Sequence, residues 1–213
     1  MSIKVGLLGG GSWGTTVASL TAKNSPTTIW ARNEETVKEI NQQHTNSRYL
    51  PGALLHKDLK ASHSIEETVS NADLLVMGIP SQNFRQVLEM AKTHIRPWIP
   101  IISLSKGLEV GSKKRMTEVI EETLPGHPVG VLTGPNLAKE IHHGMAAAAV
   151  IAMVDDVIAK RLQSVFNSGL FRVYTNKDVD GCELGGALKN IMAIATGMGA
   201  GASEGDNTRA AIN

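Results

Sequence analysis

The stretch Val5-Gly-Leu-Leu-Gly-Gly-Gly-Ser-Trp-Gly14 constrains this chain more than any other. Apolar residues with the composition of a buried strand run into Gly9-x-Gly11-x-x-Gly14, and Val17, Ala18 and Leu20 follow in a helical pattern. Strand, glycine turn and helix form one unit. The first glycine permits the tight turn, the second lets backbone N–H groups come close to a pyrophosphate, and the third lets helix and strand pack closely. A diphosphate then rests on the positive end of the helix dipole. Glycines at this spacing also serve as ordinary turn punctuation. The flanking strand and helix supply the context that makes Gly9, Gly11 and Gly14 an expected dinucleotide site.

Strand-type and helix-type segments alternate from there on, the pattern of a parallel sheet with helices on both faces. Strands are expected at 3–8, 27–31, 59–61, 73–79, 100–104, 129–132, 146–154 and 171–174. Periodicity alone leaves the alanine-rich run 146–154 open between helix and strand, and its place between two helical patterns favours a strand. Asn33 is placed to cap a helix whose first turn holds Glu34 and Glu35. A further helix is expected over 113–124, and Asp155-Asp156 read as helix-start acids. The segment 42–58, with its Pro51-Gly52 turn, reads as a surface excursion, and Trp30 and Trp98 as core.

From about Asp178 the pattern changes. Leu184, Leu188, Ile191, Ala195 and Met198 recur at spacings of four and three, one apolar stripe on a helix. Lys189 falls off that stripe, beside Gly185 and Gly186. A glycine inside a helix costs about 1 kcal/mol against alanine, so Gly185, Gly186 and Gly197 call for close approach of a ligand or another backbone. The fold class expected is α/β: a Rossmann-like, mostly parallel doubly wound sheet over 1–178, followed at 179–213 by the first part of an all-α domain.

Composition narrows the partners. With 213 residues, 42% of them hydrophobic and 19% charged, the chain can bury a full core. A net charge of +1 argues against nucleic acid or an anionic membrane as main partner. One cysteine, Cys182, excludes an intrachain disulfide and a cysteine-based metal cluster, which fits a reducing cytosol. No apolar run has the length of a membrane span, so a cytoplasmic location is expected. Adjacent His142 and His143 would point in different directions on a helix and make a poor metal pair, and no metal is expected.

Ligands of such sheets bind beyond the carboxyl ends of the strands. Those ends carry the glycine turn, Arg32, 78–81, Lys106 and the run from Gly134 to Ala138. A carboxylate at the end of the second strand holds the ribose 2′-OH of NAD, whereas an arginine there accommodates a 2′-phosphate. Arg32 therefore points to NADP (NADPH), with NAD as the lesser cofactor, unless it is a solvated loop residue.

Gly-Gly-Gly-Ser-Trp-Gly-Thr at the first turn, Ser-Lys-Gly-Leu-Glu at 105–109, Leu-Thr-Gly-Pro-Asn at 132–136, Gly-Cys-Glu-Leu-Gly-Gly-Ala-Leu-Lys-Asn at 181–190 and Gly-Asp-Asn-Thr-Arg-Ala-Ala at 205–211 together resemble NAD(P)-dependent glycerol-3-phosphate dehydrogenase of the bacterial type. The resemblance runs the length of the chain. It implies interconversion of dihydroxyacetone phosphate and sn-glycerol 3-phosphate, supply of the latter to phospholipid synthesis, and a homodimer when intact. It implies that Ser12 and Trp13 contact the cofactor diphosphate, that Ala138 lies near the cofactor, and that Lys106 touches cofactor and substrate. Gly134 would bind substrate, as would Asn136, which stands where the family pattern has Thr. Lys189 matches the catalytic acid/base. Asn190 would either orient the substrate hydroxyl or cap a helix contact.

Chemistry supports the pairing of amines. A hydride arriving at a carbonyl carbon leaves an alkoxide, which a nearby ammonium both stabilises and protonates. A second cation such as Lys106 would lower the pKa of Lys189. The resemblance also implies a longer helical lobe, bringing an Asp, an Arg and an Asn to the site, than this chain holds. The expectation is a fragment that binds cofactor, turns over poorly and self-associates through Leu184, Leu188 and Ile191. Two alternatives stand beside it: a non-catalytic dinucleotide-binding module, and a dehydrogenase of another hydroxy acid or alcohol.

Overall fold

A computed structural model describes residues 2–202 together with 205 and 207, so most of the motif at 205–211 lies outside the described residues. Eight strands form one sheet in the order β3-β2-β1-β4-β5-β6-β7-β8. They are β1 (Val5–Leu8), β2 (Thr27–Trp30), β3 (Lys60–Ser62), β4 (Leu74–Met77), β5 (Ile101–Ser103), β6 (Val129–Thr133), β7 (Ala147–Met153) and β8 (Phe171–Asn176). The helices are α1 (Ser12–Thr21), α2 (Glu34–Gln43), α3 (Ile65–Val69), α4 (Ser81–Ala91), α5 (Met116–Thr123), α6 (Ala138–His142), α7 (Asp156–Phe166) and α8 (Val179–Gly201). Every strand pair is parallel except β6 with β7. The run around Ala147 is thus a strand, as its position in the chain indicated. This is the Rossmann-like, mostly parallel sheet expected from the alternation.

The central strands are buried on both faces, and their alternate residues feed two cores. Leu74 and Val76 join Leu7, Val17, Ala18 and the α7 residues Leu162 and Phe166 on one side. Leu75 and Met77 join Phe84, Leu88, Val119 and Ile120 of α4 and α5 on the other. A period of two along each strand is what sends neighbours to opposite faces. Strand order reverses at β1, whose neighbours are β2 and β4. Such a switch point leaves a crevice at the strands' carboxyl ends.

Caps fall where the sequence placed them. Asn33 accepts from the N–H groups of Glu35 and Thr36 at 2.7 and 3.2 Å, and Asp155 from those of Val157 and Ile158 at 2.9 and 3.0 Å. Three expectations need correction. The segment 42–58 is not a surface excursion: Leu50 and Leu55 enter the core, and Asn46 is fully buried, donating to Gly10 O at 3.1 Å and Thr15 Oγ1 at 2.9 Å. Those bonds tie the segment to the glycine turn. Trp98 is 75% exposed rather than core, because it occupies a turn at φ 66° and its ring lies over Gly126. Helix α5 starts at Met116 rather than 113, since Lys113 takes φ 60° and closes a turn by donating to Glu109 O.

Phe84 is among the largest fully buried side chains. Phe84→Ala is expected to cost about 3–5 kcal/mol, read as a lower urea midpoint at unchanged slope. A loss under about 1 kcal/mol would mean that the α4 side of the sheet is not the packed core described here.

Candidate active site

The glycine turn is a backbone-on-backbone contact. A Cβ on Gly14 would stand 2.0 Å from Gly9 O, and one on Gly9, which has φ 127°, would stand 2.3 Å from Gly78 O. Only hydrogen fits at either place. The N-cap of α1 is Gly11, which has no side chain to cap the first turn, so the N–H groups there remain available to an anion. Beyond this turn opens a cleft of about 410 Å³. Its walls come from the ends of four strands: Gly9, Gly10, Gly11, Trp13 and Gly14 after β1, Arg32 after β2, Pro80 after β4 and Ser105 after β5.

Gly9, Gly11, Trp13, Gly14 and Arg32 line that cleft, whereas Ser12, Lys106, Gly134, Asn136, Ala138, Lys189 and Asn190 are outside its lining. The Ser12 hydroxyl donates to Tyr49 O at 2.7 Å. Trp13 packs edge-on against Phe171, ring centroids 6.2 Å apart. Ala138 is the first residue of α6. Arg48 and Tyr49 are among the lining residues that the sequence did not single out, with the Arg48 guanidinium 5.4 Å from the Tyr49 ring centre. They belong to the segment taken for a surface excursion. Its apolar residues Leu50 and Leu55 were the available sign that it folds inward.

A second group of residues gathers past the β5 and β6 ends. Lys106 Nζ donates to Gly134 O at 2.7 Å. Burial first, and then the neighbouring charge of Lys189, pull the Lys106 amine below its ordinary pKa. The two lysines, 83 positions apart, are therefore near each other in space. Gly186 accounts for the approach: a Cβ there would lie 3.1 Å from Thr133 Oγ1 and 3.7 Å from Lys106 Cγ. Helix α8 thus crosses the β6 end at the residue one turn before Lys189. Of the three helix glycines singled out, only Gly186 is pressed by a neighbour among the described residues; at Gly185 and Gly197 a Cβ would meet none of them within 4 Å.

Asn136 Nδ2 donates to Ala148 O at 2.8 Å, while its buried Oδ1 has no hydrogen-bond partner among the described residues. Asn190 Oδ1 accepts from Lys189 Nζ at 2.8 Å. The apolar stripe of α8 is open: Leu188 and Ile191 are 46% and 62% exposed. Among the described residues no three His, Cys, Asp or Glu side chains are grouped to hold a metal, and no helix is long and apolar enough to cross a membrane.

The loop that carries Lys106 is clamped from α4. Gln82 donates to Leu108 O at 2.8 Å and accepts from Val110 N at 3.0 Å, and Arg85 makes a two-pronged pair with Glu109 at 2.8 and 2.9 Å. Arg85 first, and the Ser112 hydroxyl second, hold the Glu109 carboxyl down at about 2.

Comparison with known proteins places these features in a family. The profile described as NAD-dependent glycerol-3-phosphate dehydrogenase N-terminus matches residues 4–159, and its C-terminus counterpart matches 178–213. The chain is 62% identical over 212 residues to glycerol-3-phosphate dehydrogenase [NAD(P)+] 2 of Sphingopyxis alaskensis, covering all of this chain and 64% of that protein. The solved glycerol-3-phosphate dehydrogenase of Coxiella burnetii superposes with TM-score 0.88 at 33% identity, over 99% of this chain and 65% of that one. That of Saccharomyces cerevisiae gives 0.91 at 32%, over 100% and 67%. The chain spans a little under two thirds of the length of curated relatives such as the Sphingopyxis protein.

Two outcomes are expected. Gly14→Ala, which drives a methyl into Gly9 O, should abolish dinucleotide binding measured by fluorescence titration; retained affinity would mean the turn is not the site. Glu109 holds its proton more weakly in the folded chain than in the unfolded one, so its contribution to stability is present above the ordinary carboxylate range and is lost as pH falls toward about 2. Glu109→Gln should flatten that part of the acid unfolding curve, and an unchanged curve would remove the Arg85 pair from the account.

Proposed function

Because the chain belongs to the NAD-dependent glycerol-3-phosphate dehydrogenase family, we propose that it acts in the interconversion of dihydroxyacetone phosphate and sn-glycerol 3-phosphate. The glycine turn would hold the diphosphate of NADP(H) or NAD(H) on the first N–H groups of α1. Its fit rests on the missing Cβ atoms and the uncapped helix end. The dinucleotide, when bound, supplies the hydride.

The single observation that supports this assignment is the convergence of Lys106 and Lys189 past the cleft. Lys106, tied to Gly134 O, would hold the substrate's oxygen side. Lys189 Nζ would give its proton to the carbonyl oxygen as that oxygen becomes an alkoxide, and take it back in the reverse direction. Asn136 Oδ1, buried and without a partner among the described residues, would accept a substrate hydroxyl. Arg32, with Arg48 on the same cleft, would favour the 2′-phosphate of NADPH. Glycerol 3-phosphate made this way would feed phospholipid synthesis in the cytoplasm. The open stripe Leu188 and Ile191 supports association into a homodimer or with a further part of the fold.

Oxidation of NADPH with dihydroxyacetone phosphate, followed by absorbance on this chain and on a version extended to the relatives' length, tests the proposal. Lys189→Ala in the active version should lower kcat by about 100-fold or more, and a variant with normal kcat would refute the acid/base role. Arg32→Ala should weaken NADPH binding by about tenfold and NADH binding little; equal effects on both cofactors would withdraw the 2′-phosphate assignment.

A further inference from the structure

Glu183 is the one buried carboxylate among the described residues, 7% exposed. It sits on α8, of which only Glu183 and Gly199 are buried. Its oxygens accept from Thr117 N at 3.1 Å, from Arg115 Nη1 at 3.2 Å and from the Thr117 hydroxyl. Thr117 is the second residue of α5, where a helix normally finds its acceptor in its own N-cap side chain. The N-cap here is Arg115, whose guanidinium offers no acceptor. Glu118 reaches back to the Arg115 N–H at 2.8 Å, but the N–H of Thr117 is met from another element, by Glu183. Arg115 also pairs with Asp180 on the same turn of α8.

A carboxylate buried in this way is a costly means of fastening two helices, since its desolvation, the chief force raising its pKa, offsets much of the attraction. Its gain is in geometry: an apolar contact can slide or roll, while three donors on one carboxylate fix both translation and rotation. At 3.6 residues per turn, Gly186 lies about 60° and Lys189 about 120° around α8 from Glu183. With Glu183 held at α5 and Gly186 pressed on Thr133 and Lys106, the direction of the Lys189 side chain is set by two points on the helix before it.

We propose that Glu183 is a positioning residue: by gripping Arg115 and Thr117 at the start of α5, it fixes the rotation of α8 that brings the Lys189 amine toward Lys106. The proposal rests on the convergent lysines of the proposed function. It also explains why an arginine stands at an N-cap.

In the chain extended to the relatives' length, Glu183→Ala should lower kcat by about 10- to 100-fold, the scale of a misplacement of about 1 Å. The Kd for NADPH should stay unchanged, because the glycine-turn cleft is built elsewhere. Glu183→Gln, which keeps an acceptor for the Thr117 N–H, should recover part of the loss. A second measurement needs no turnover: the titration of Lys106 in this 213-residue chain, followed by NMR of methylated lysines. Lys189→Ala should raise the Lys106 pKa by removing a like charge, and Glu183→Ala should raise it in the same direction. If Glu183→Ala does not give folded protein, Thr117→Val carries both readouts, with about a threefold fall in kcat expected. A folded variant with kcat within twofold of the parent, or a Lys106 that moves with Lys189→Ala and stays put with Glu183→Ala, overturns the positioning role alone. A Lys106 indifferent to Lys189→Ala overturns the shared premise of converging amines.

Discussion

Three pieces of backbone meet where β1 turns into α1, and the remaining geometry follows from that meeting. Gly14 presses on Gly9 O, and Gly9 on Gly78 O, so α1 starts against the sheet at the point where strand order reverses. Hydrogen is the only side chain that fits. In return the first turn of α1 points its N–H groups into open space between the β1 and β4 ends, which makes an anion the natural partner. The same closeness draws in the 44–55 segment: Asn46 satisfies Gly10 O, a carbonyl that the tight turn leaves without a helical or strand partner.

Much of this architecture was legible because it repeats a short physical rule. Period-two burial at Leu74–Met77, the cap at Asn33 and the glycine turn each act within a few residues, and sequence reports local chemistry well. The failures share the opposite property. Trp98 was assigned by its apolarity, but the turn between α4 and β5 takes a positive φ and turns the ring outward over Gly126. Residues 42–58 look like a surface excursion from their irregular pattern and Pro51-Gly52 turn, but a few apolar anchors, Leu50 and Leu55 among them, bring Arg48 and Tyr49 to the cleft wall. Glu183 drew no notice as a polar residue beside an apolar stripe, and its partners lie 66 and 68 positions away. A buried charge is recognisable only once its distant partners are known.

The site divides into parts with different physics. The cleft wall is rigid backbone on the central strands, whose side chains are fully buried on both faces, and it has little freedom to adjust. The lysine end is assembled from a loop and a helix that are each held by charged groups. Gln82 and Arg85 clamp the loop after Lys106, and Glu183 clamps α8 before Lys189. Arg115 connects the two, since it closes the clamped loop and grips α8.

Two ammonium groups brought together work against folding, and the Lys106 amine is lowered in pKa first by its burial and then by the charge of Lys189. Some of the repulsion is relieved by Gly134 O, which accepts from Lys106, and by Asn190 Oδ1, which accepts from Lys189. Neither acceptor carries a full negative charge, so the pair remains short of an anion. Glu183, the nearest carboxylate along α8, is spent on Arg115 and Thr117 and does not neutralise it. A site that withholds its own carboxylate from two cations is electrostatically complete only when something else brings the negative charge. A phosphate-bearing substrate whose carbonyl becomes an alkoxide meets that requirement twice, on binding and again as the oxygen charges.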